Sequence, residues 1–168
     1  MNDPERIGGL LFLRELDNRW FQVYRSFLSL PVEEQPIVEV QSELGFRMRG
    51  PIANDVVRHF LHRTDSESPY EYPILFLLLV LTYDGGTFLD IGANLGYHSL
   101  AVLKNGPPTL HAYAFEPLPY FYRLLCANIE LNGLKGRITP HPVAVSDRAG
   151  EADLHLLGTA SSLEVRVV

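Results

Sequence analysis

The alternation of predicted strands and helices after residue 86 constrains the fold most strongly. Strands are predicted over 87–91, 110–115 and 138–145, and helices over 97–104 and 119–132 lie between them. This order implies parallel strands that are joined by right-handed crossovers. The pattern therefore predicts an α/β fold with a doubly wound, Rossmann-like sheet. In such sheets, ligands bind beyond the carboxyl ends of the strands.

The segments outside this alternation predict additions to the sheet. Apolar residues three and four apart predict an N-terminal helix over 7–30, and the pattern of 37–49 predicts a small hairpin. The run PILFLLLVLTY at 73–83 predicts a buried helix, and 150–157 predicts a further strand, antiparallel to its neighbour. We expect residues 1–70 to form an N-terminal extension and residues 71–168 to form the sheet domain.

Composition and charge exclude several classes of function. The formal net charge of -6 argues against a nucleic-acid partner, because phosphate binding needs clustered Lys and Arg. The single cysteine, Cys126, excludes an intrachain disulfide and a cysteine-rich zinc site, and no ligand-spaced cluster predicts any other metal.

The same sequence predicts a cytoplasmic protein. The apolar run at 73–83 is shorter than the ~20 residues that a membrane-spanning helix needs. The polar residues near the N-terminus do not resemble a signal peptide. We therefore expect no membrane span.

The stretch FLDIGANLGY at 88–97 carries the first indication of chemistry. Asp90 ends the predicted strand, and Gly92 and Gly96 follow it with the flexibility that a close backbone approach to a ligand requires. Glu116 ends the next strand, 26 residues later (116 − 90), where an acid commonly binds ribose hydroxyls. These features are compatible with NAD or S-adenosylmethionine. The glycine spacing departs from the G-x-G-x-x-G of dinucleotide sites and favours S-adenosylmethionine.

Three stretches together resemble the FkbM-type methyltransferases: FLDIGANLGYHSL, AYAFEPLPYFYRLLCANIELNGL, and PVAVSDRAGEADLHL with GTASSLE. The resemblance covers residue 71 to about residue 168. It implies a class I methyltransferase that transfers the methyl group of S-adenosylmethionine to a hydroxyl of a small molecule or sugar.

Carried over by position, the resemblance implies a set of cofactor-binding residues. Those around the methionine and ribose parts are Asp90, Gly92, Ala93, Asn94 and Gly96. Those that bind the ribose hydroxyls and the adenine are Glu116, Pro117, Leu118, Ser146 and Asp147. Ser161 and Ser162 are weaker candidates for the pocket lining.

The resemblance also implies that the sheet is incomplete at its C-terminus. The family continues with a strand that reads approximately KIDVEG, and this sequence stops at VRVV. We therefore expect an N-terminal fragment in which the strand at 87–91 has an unpaired edge. Either self-association or the segment Leu163–Val168 is expected to cover that edge.

Three alternatives remain open at this level. The chain fits an NAD(P)-dependent oxidoreductase or a non-catalytic interaction module with the same half-fold. The acids at 90, 116 and 147 also fit ordinary capping, solvent-exposed and turn positions. The catalytic base is not identified, although the chemistry of His98 and His141 makes both candidates.

Overall fold

The computed structural model describes residues 26–27, 29–62, 69–148, 150–151, 153–156 and 163–166. The helix predicted over 7–30 lies almost entirely outside these residues. The pair Ser161 and Ser162 also lies outside them. Both therefore stay predictions.

The first described elements form a hairpin and two helices. Strands β1 (Ile37–Gln41) and β2 (Arg47–Pro51) pair in antiparallel register, which confirms the predicted hairpin. Helix α1 (Asp55–His62) follows, and helix α2 (Tyr72–Leu81) precedes the sheet.

A three-stranded parallel sheet forms the centre of the fold. Strands β3 (Gly86–Ile91), β4 (Leu110–Phe115) and β5 (Ile138–His141) lie in the order β3–β4–β5. Helices α3 (Tyr97–Asn105) and α4 (Pro119–Leu131) connect them. The predicted Rossmann-like α/β fold is thereby confirmed.

Strand β5 is shorter than the strand predicted over 138–145. It pairs with β4 from Ile138 to His141 and ends immediately before Pro142. Proline has no backbone N–H and cannot donate to a sheet ladder, so a proline at this point favours termination.

The two faces of the sheet differ in burial. Alternate residues of β4 (Leu110, Ala112 and Ala114) are buried on one face, where helices α3 and α4 contribute most of the core. On the other face, Leu89 and Ile91 are 57% and 60% exposed. The described part of the chain therefore covers one face of the sheet only.

Helix α2 is less buried than the sequence predicted. Its apolar composition predicted a buried helix, and Leu75 is indeed buried. More than half of the residue surface is nevertheless exposed at Ile74, Phe76, Leu77, Val80 and Leu81. A helix that is apolar all round buries only the face that meets a neighbour, here α3. Within the described ranges, no helix is both long and apolar enough to span a membrane.

The C-terminal strands pair differently from the prediction. Strand β6 (Asp153–Leu156) pairs with β7 (Leu163–Arg166) in antiparallel register, as a separate two-stranded sheet. The prediction that Leu163–Val168 covers the edge of β3 is therefore wrong for its described residues. They satisfy their backbone hydrogen bonds locally, against β6, instead of pairing with β3.

Candidate functional site

The loop between β3 and α3 is folded by its own backbone. The N–H groups of Gly92 and Ala93 both donate to the carbonyl oxygen of Phe115, at 2.9 and 3.0 Å. Positive φ angles occur at Gly92 (80°), Asn94 (50°) and Gly96 (88°). The loop is thus anchored to the end of β4 and leaves β3 in a sharp turn.

The two glycines of this loop are required for different reasons. A Cβ atom added to Gly96 would lie 2.6 Å from Cδ1 of Leu125, so this glycine lets α3 approach α4 closely. A Cβ atom added to Gly92 would meet no atom within 4 Å. The backbone at Gly92 therefore faces open space, as a backbone that receives a ligand must.

Glu116 joins the ends of the two neighbouring strands. One carboxylate oxygen, Oε2, accepts a hydrogen bond from the backbone N–H of Asn94 at 2.8 Å. The other, Oε1, accepts one from the N–H of Leu118 at 2.9 Å. The residue is only 3% exposed. The carboxylate therefore fixes the loop of 92–96 against the segment that follows β4.

Burial sets the ionisation of this carboxyl group. Desolvation raises the pKa of Glu116, the two backbone hydrogen bonds oppose that rise, and the nearby charge of Asp90 adds to it. Each carboxylate oxygen has a second lone pair, so the ionised group can accept further hydrogen bonds from a ligand.

Asp90 is hydrogen-bonded to a residue of α3. Its Oδ2 atom accepts hydrogen bonds from the hydroxyl of Ser99 at 2.6 Å and from the backbone N–H of Ser99 at 3.2 Å. Ser99 lies in the first turn of α3, so Asp90 satisfies an N–H that the helix leaves unpaired. The capping alternative that the sequence left open for Asp90 is thus observed.

A cleft of ≈ 230 Å³ lies against the loop. Its lining comes from the start of α1, the segment before α2, the loop itself and the first turn of α3, namely Asn54, Asp55, Val56, Tyr70, Glu71, Gly92, Ala93, Asn94, Leu95, Tyr97 and His98. Asp90 and Glu116 lie behind this wall rather than in it.

The walls of the cleft are linked by hydrogen bonds. The side-chain amide of Asn54 donates to Oδ1 of Asn94 at 3.1 Å. The side-chain oxygen of Asn54, Oδ1, accepts the N–H of Val56 at 3.1 Å, which caps α1. The hydroxyl of Tyr97 donates to the carbonyl oxygen of Tyr70 at 3.0 Å.

The sequence missed the contribution of Tyr70 and Glu71 to the cleft. Glu71 Oε2 lies 3.2 Å from Nε2 of His98, although the two residues are 27 positions apart (98 − 71). No local pattern predicts a contact between a pre-helix acid and a residue of a later helix. The position of Asn54 beside the loop was likewise not predicted.

The remaining predicted site residues lie elsewhere. Ser146 and Asp147 are exposed after β5, where the Ser146 hydroxyl donates to Oδ1 of Asp147 at 3.1 Å. Pro117 is partly buried beside Glu116. The cofactor contacts assigned to these residues stay predictions. His141 stacks on Phe115, with ring centroids 5.0 Å apart and ring planes at 16°.

Metal binding was not predicted from the sequence. The described residues contain no group of three or more His, Cys, Asp or Glu side chains placed to hold a metal ion.

Comparison with known proteins identifies the fold. TYW2 of P. horikoshii, solved in complex with MeSAdo, superposes with a TM-score of 0.51 at 20% identity, over 68% of this chain and 39% of that one. The sheet and the helices that cover it therefore have the fold of class I S-adenosylmethionine-dependent methyltransferases. No protein-family model matches the chain, and no curated protein matches it.

Two further solved structures show weaker similarity. Trm5 of Methanocaldococcus jannaschii in complex with adenosine gives a TM-score of 0.46 at 23% identity, over 67% of this chain and 31% of that one. The O-methyltransferase TomG of Streptomyces achromogenes, in complex with SAM, gives 0.41 at 19% identity, over 74% and 50%. The chain thus spans half or less of the length of each of these three proteins.

Proposed function

We propose that the chain carries the cofactor-binding part of an S-adenosylmethionine-dependent methyltransferase that methylates a hydroxyl of a small molecule or sugar. The observation that carries the proposal is the loop at Gly92. This glycine has a left-handed conformation, a Cβ position in open space, and neighbours that hydrogen bonds hold to the end of β4.

The cofactor assignment rests on the chemistry of the loop. Asp90 and Glu116 place two buried carboxyl groups behind it, and Glu116 keeps lone pairs for ribose hydroxyls. A site with this concentration of negative charge is a poor partner for a pyrophosphate and a good one for a sulfonium cation. The two carboxyl groups therefore favour S-adenosylmethionine over NAD(P), and the fold shared with TYW2 supports the same choice.

Two observations support the assignment of the methyl acceptor. The resemblance of the sequence to FkbM-type enzymes supports a hydroxyl acceptor. The net charge of -6 supports a small molecule rather than a nucleic acid, because nucleic-acid binding is dominated by contacts to phosphate.

Titration calorimetry with S-adenosylhomocysteine and, separately, with NAD tests the cofactor assignment. We expect saturable binding of S-adenosylhomocysteine and none of NAD. The variant Gly92→Ala should weaken that binding by about tenfold or more, which is ~1.4 kcal/mol.

Gly136→Ala is the matched control for this experiment. Gly136 also has a positive φ angle (86° against 80° for Gly92) and free space around its Cβ position. It precedes β5 and therefore lies at the opposite, amino-terminal edge of the parallel sheet. Both variants carry the same backbone strain of about 1–2 kcal/mol. If they weaken binding equally, or if NAD binds better than S-adenosylhomocysteine, the proposed function is wrong.

A further inference from the structure

Asn54 connects the N-terminal extension to the glycine loop. It lies between β2 and α1, and only 5% of its surface is exposed. Its side-chain oxygen, Oδ1, accepts the backbone N–H groups of Val56 and Val57, at 3.1 and 3.4 Å. Its side-chain nitrogen, Nδ2, donates to Oδ1 of Asn94 at 3.1 Å. A buried side chain of the extension is therefore in direct contact with the loop that we assign to the cofactor.

The orientation of both side-chain amides follows from these hydrogen bonds. An amide oxygen accepts hydrogen bonds, whereas an amide nitrogen donates them. If the Asn54 amide were turned around, its nitrogen would face two backbone N–H groups of α1, and both would lose their acceptor. Asn54 therefore presents its nitrogen to Asn94, and Asn94 presents its oxygen to Asn54.

The side-chain nitrogen of Asn94 is left for another partner. Nδ2 of Asn94 donates to none of the residues that the structure describes, and it is not among their buried polar atoms that lack a hydrogen bond. It is therefore accessible to solvent, on a half-buried residue that lines the cleft. Its two N–H groups are available to a hydrogen-bond acceptor of a ligand.

The backbone of Asn94 is also held in place. Its φ angle of 50° is left-handed, a conformation that asparagine adopts more readily than most residues. Its N–H donates to Oε2 of Glu116 at 2.8 Å. At the next residue, the carbonyl oxygen of Leu95 accepts a hydrogen bond from Asn128, which also donates to Arg49 of β2. The direction of the Asn94 side chain is therefore set by contacts on both sides of the loop.

The charges in the cleft restrict which acceptor group suits Asn94. Asp55 is paired with Arg58 at 2.9 Å. Glu71 Oε2 lies 3.2 Å from Nε2 of His98, but the Glu71 side chain is still 41% exposed. Glu71 would repel a ligand group that carries only a carboxylate. It attracts a group that carries an ammonium beside its carboxylate, such as the amino acid end of S-adenosylmethionine.

We infer, on the basis of the function proposed above, that Asn54 is a positioning residue of the cofactor site. It fixes the amide of Asn94 so that the N–H groups meet the carboxylate of the cofactor's amino acid end in the cleft. Glu71 attracts the ammonium of the same end. The extension, which the sequence separated from the sheet domain, thereby supplies part of the cofactor site.

Titration calorimetry with two ligands tests this inference. S-adenosylhomocysteine carries the amino acid end, and 5′-methylthioadenosine has the same adenine, ribose and sulfur without it. Asn54→Ser keeps an oxygen that caps α1 and removes the donor to Asn94. The variant should bind S-adenosylhomocysteine about tenfold more weakly, which is the effect of one hydrogen bond to a charged group, and methylthioadenosine with unchanged affinity.

Asn105→Ser is the matched control. The Asn105 amide also joins the sheet domain to the hairpin, because it donates to the carbonyl oxygen of Leu44 at 3.1 Å. It does so at the last residue of α3, outside the lining of the cleft. This variant should bind both ligands as the unmodified chain does. The inference is overturned if Asn54→Ser weakens both ligands equally or neither of them, or if the unmodified chain binds both equally tightly.

NMR of the side-chain amides tests the direction of Asn94 without any substitution. Saturation of the unmodified chain with S-adenosylhomocysteine should shift the side-chain N–H signals of Asn94, and methylthioadenosine should leave them in place. The side-chain signals of Asn105 are an internal reference and should respond to neither ligand. Signals of Asn94 that respond to neither ligand, or equally to both, would overturn the inference.

The outcomes separate this inference from the proposed function. Binding of both ligands without discrimination would overturn the role of Asn54 and leave the methyltransferase function intact. Absence of S-adenosylhomocysteine binding in calorimetry would remove the proposed function, and the role of Asn54 with it.

Discussion

At the scale of single residues, two buried acids at neighbouring strand ends have different roles. Asp90 hydrogen-bonds the first turn of α3 through Ser99, whereas Glu116 bridges the backbone of Asn94 and Leu118. The sequence predicted the position of both acids, because a strand that runs into a glycine loop or into Glu-Pro has a recognisable end. It did not distinguish their partners, since those depend on how the loop turns back on β4.

Replacement of Glu116 should affect both stability and ligand binding. Glu116→Ala leaves two buried N–H groups without their acceptor, so we expect a loss of ~1–3 kcal/mol in the free energy of unfolding. The affinity for S-adenosylhomocysteine should fall by a similar ~1–3 kcal/mol if the carboxylate holds the ribose hydroxyls. Urea unfolding and calorimetry measure the two effects separately. Unchanged affinity in a variant that is still folded would contradict the ribose assignment.

The ionisation of Glu116 predicts a pH dependence of stability. Burial raises its pKa above the ordinary 4.5, so the folded chain binds this proton more tightly than the unfolded chain does. Its contribution to the free energy of unfolding is complete below pH 4.5 and is lost as the pH rises through the pKa of the folded state. The variant Glu116→Gln has no titrating group at this position. As the pH rises above 4.5, the free energy of unfolding of the unmodified chain should therefore decrease relative to that of this variant. Urea unfolding at several pH values measures this difference. An increase in the difference with rising pH would contradict a raised pKa at Glu116.

At the scale of elements, helix α4 attaches the hairpin to the sheet domain through β2. The side chain of Asn128 donates to the carbonyl oxygens of Arg49 and Leu95, each at 3.0 Å, and accepts the N–H of Arg49 at 2.8 Å. One turn later, Asn132 accepts the N–H of Arg47 at 2.9 Å and donates to its carbonyl oxygen. Two asparagines thus make this attachment, and Asn128 also holds the glycine loop.

The contacts of these two asparagines could not be predicted from the sequence. The residues Phe121, Leu125 and Ile129 recur at apolar helical spacing on one face of α4, and they are buried. The asparagines follow no such pattern, because they pair with backbone atoms 79 and 85 residues away. The burial of α2 was overestimated for a related reason, since apolar composition does not tell how much of a helix finds a neighbour.

Loss of the Asn128 side chain should therefore be costly. Asn128 is 0% exposed, so Asn128→Ala removes three hydrogen bonds and leaves buried backbone groups of Arg49 and Leu95 unpaired. We expect ~2–4 kcal/mol of destabilisation in urea unfolding. Asn132→Ala is the control, because its bonds to Arg47 lie near the surface and their loss should cost less. Equal losses in the two variants would argue against a special role for Asn128.

At the scale of the whole molecule, the described chain leaves an apolar surface around the edge of β3. That strand pairs with β4 alone among the described strands, and its outward side chains Leu89 and Ile91 are exposed. Unpaired strand edges with apolar side chains promote pairing with another chain. The prediction of an unpaired edge came from the family resemblance. The position of Leu163–Arg166 against β6 could not be predicted, because a short alternating segment pairs equally well with any free edge.

The chain is therefore expected to self-associate in a concentration-dependent way. Ile91→Glu should reduce the apparent mass in size-exclusion chromatography with light scattering, because it places a charge on the exposed apolar face. Thr139→Glu changes an exposed polar residue of β5 in the same way and should have little effect. A chain that is monomeric at all concentrations would contradict this prediction.

The central claim is that the loop at Gly92 receives the cofactor between the ends of β3 and β4. The most direct measurement is an NMR titration of backbone amides with S-adenosylhomocysteine, with NAD as the comparison ligand. We expect saturable shifts at Gly92, Ala93, Asn94 and Glu116, none at Gly136 on the opposite edge of the sheet, and no response to NAD. Absence of saturable shifts, or shifts that cluster away from the glycine loop, would contradict it.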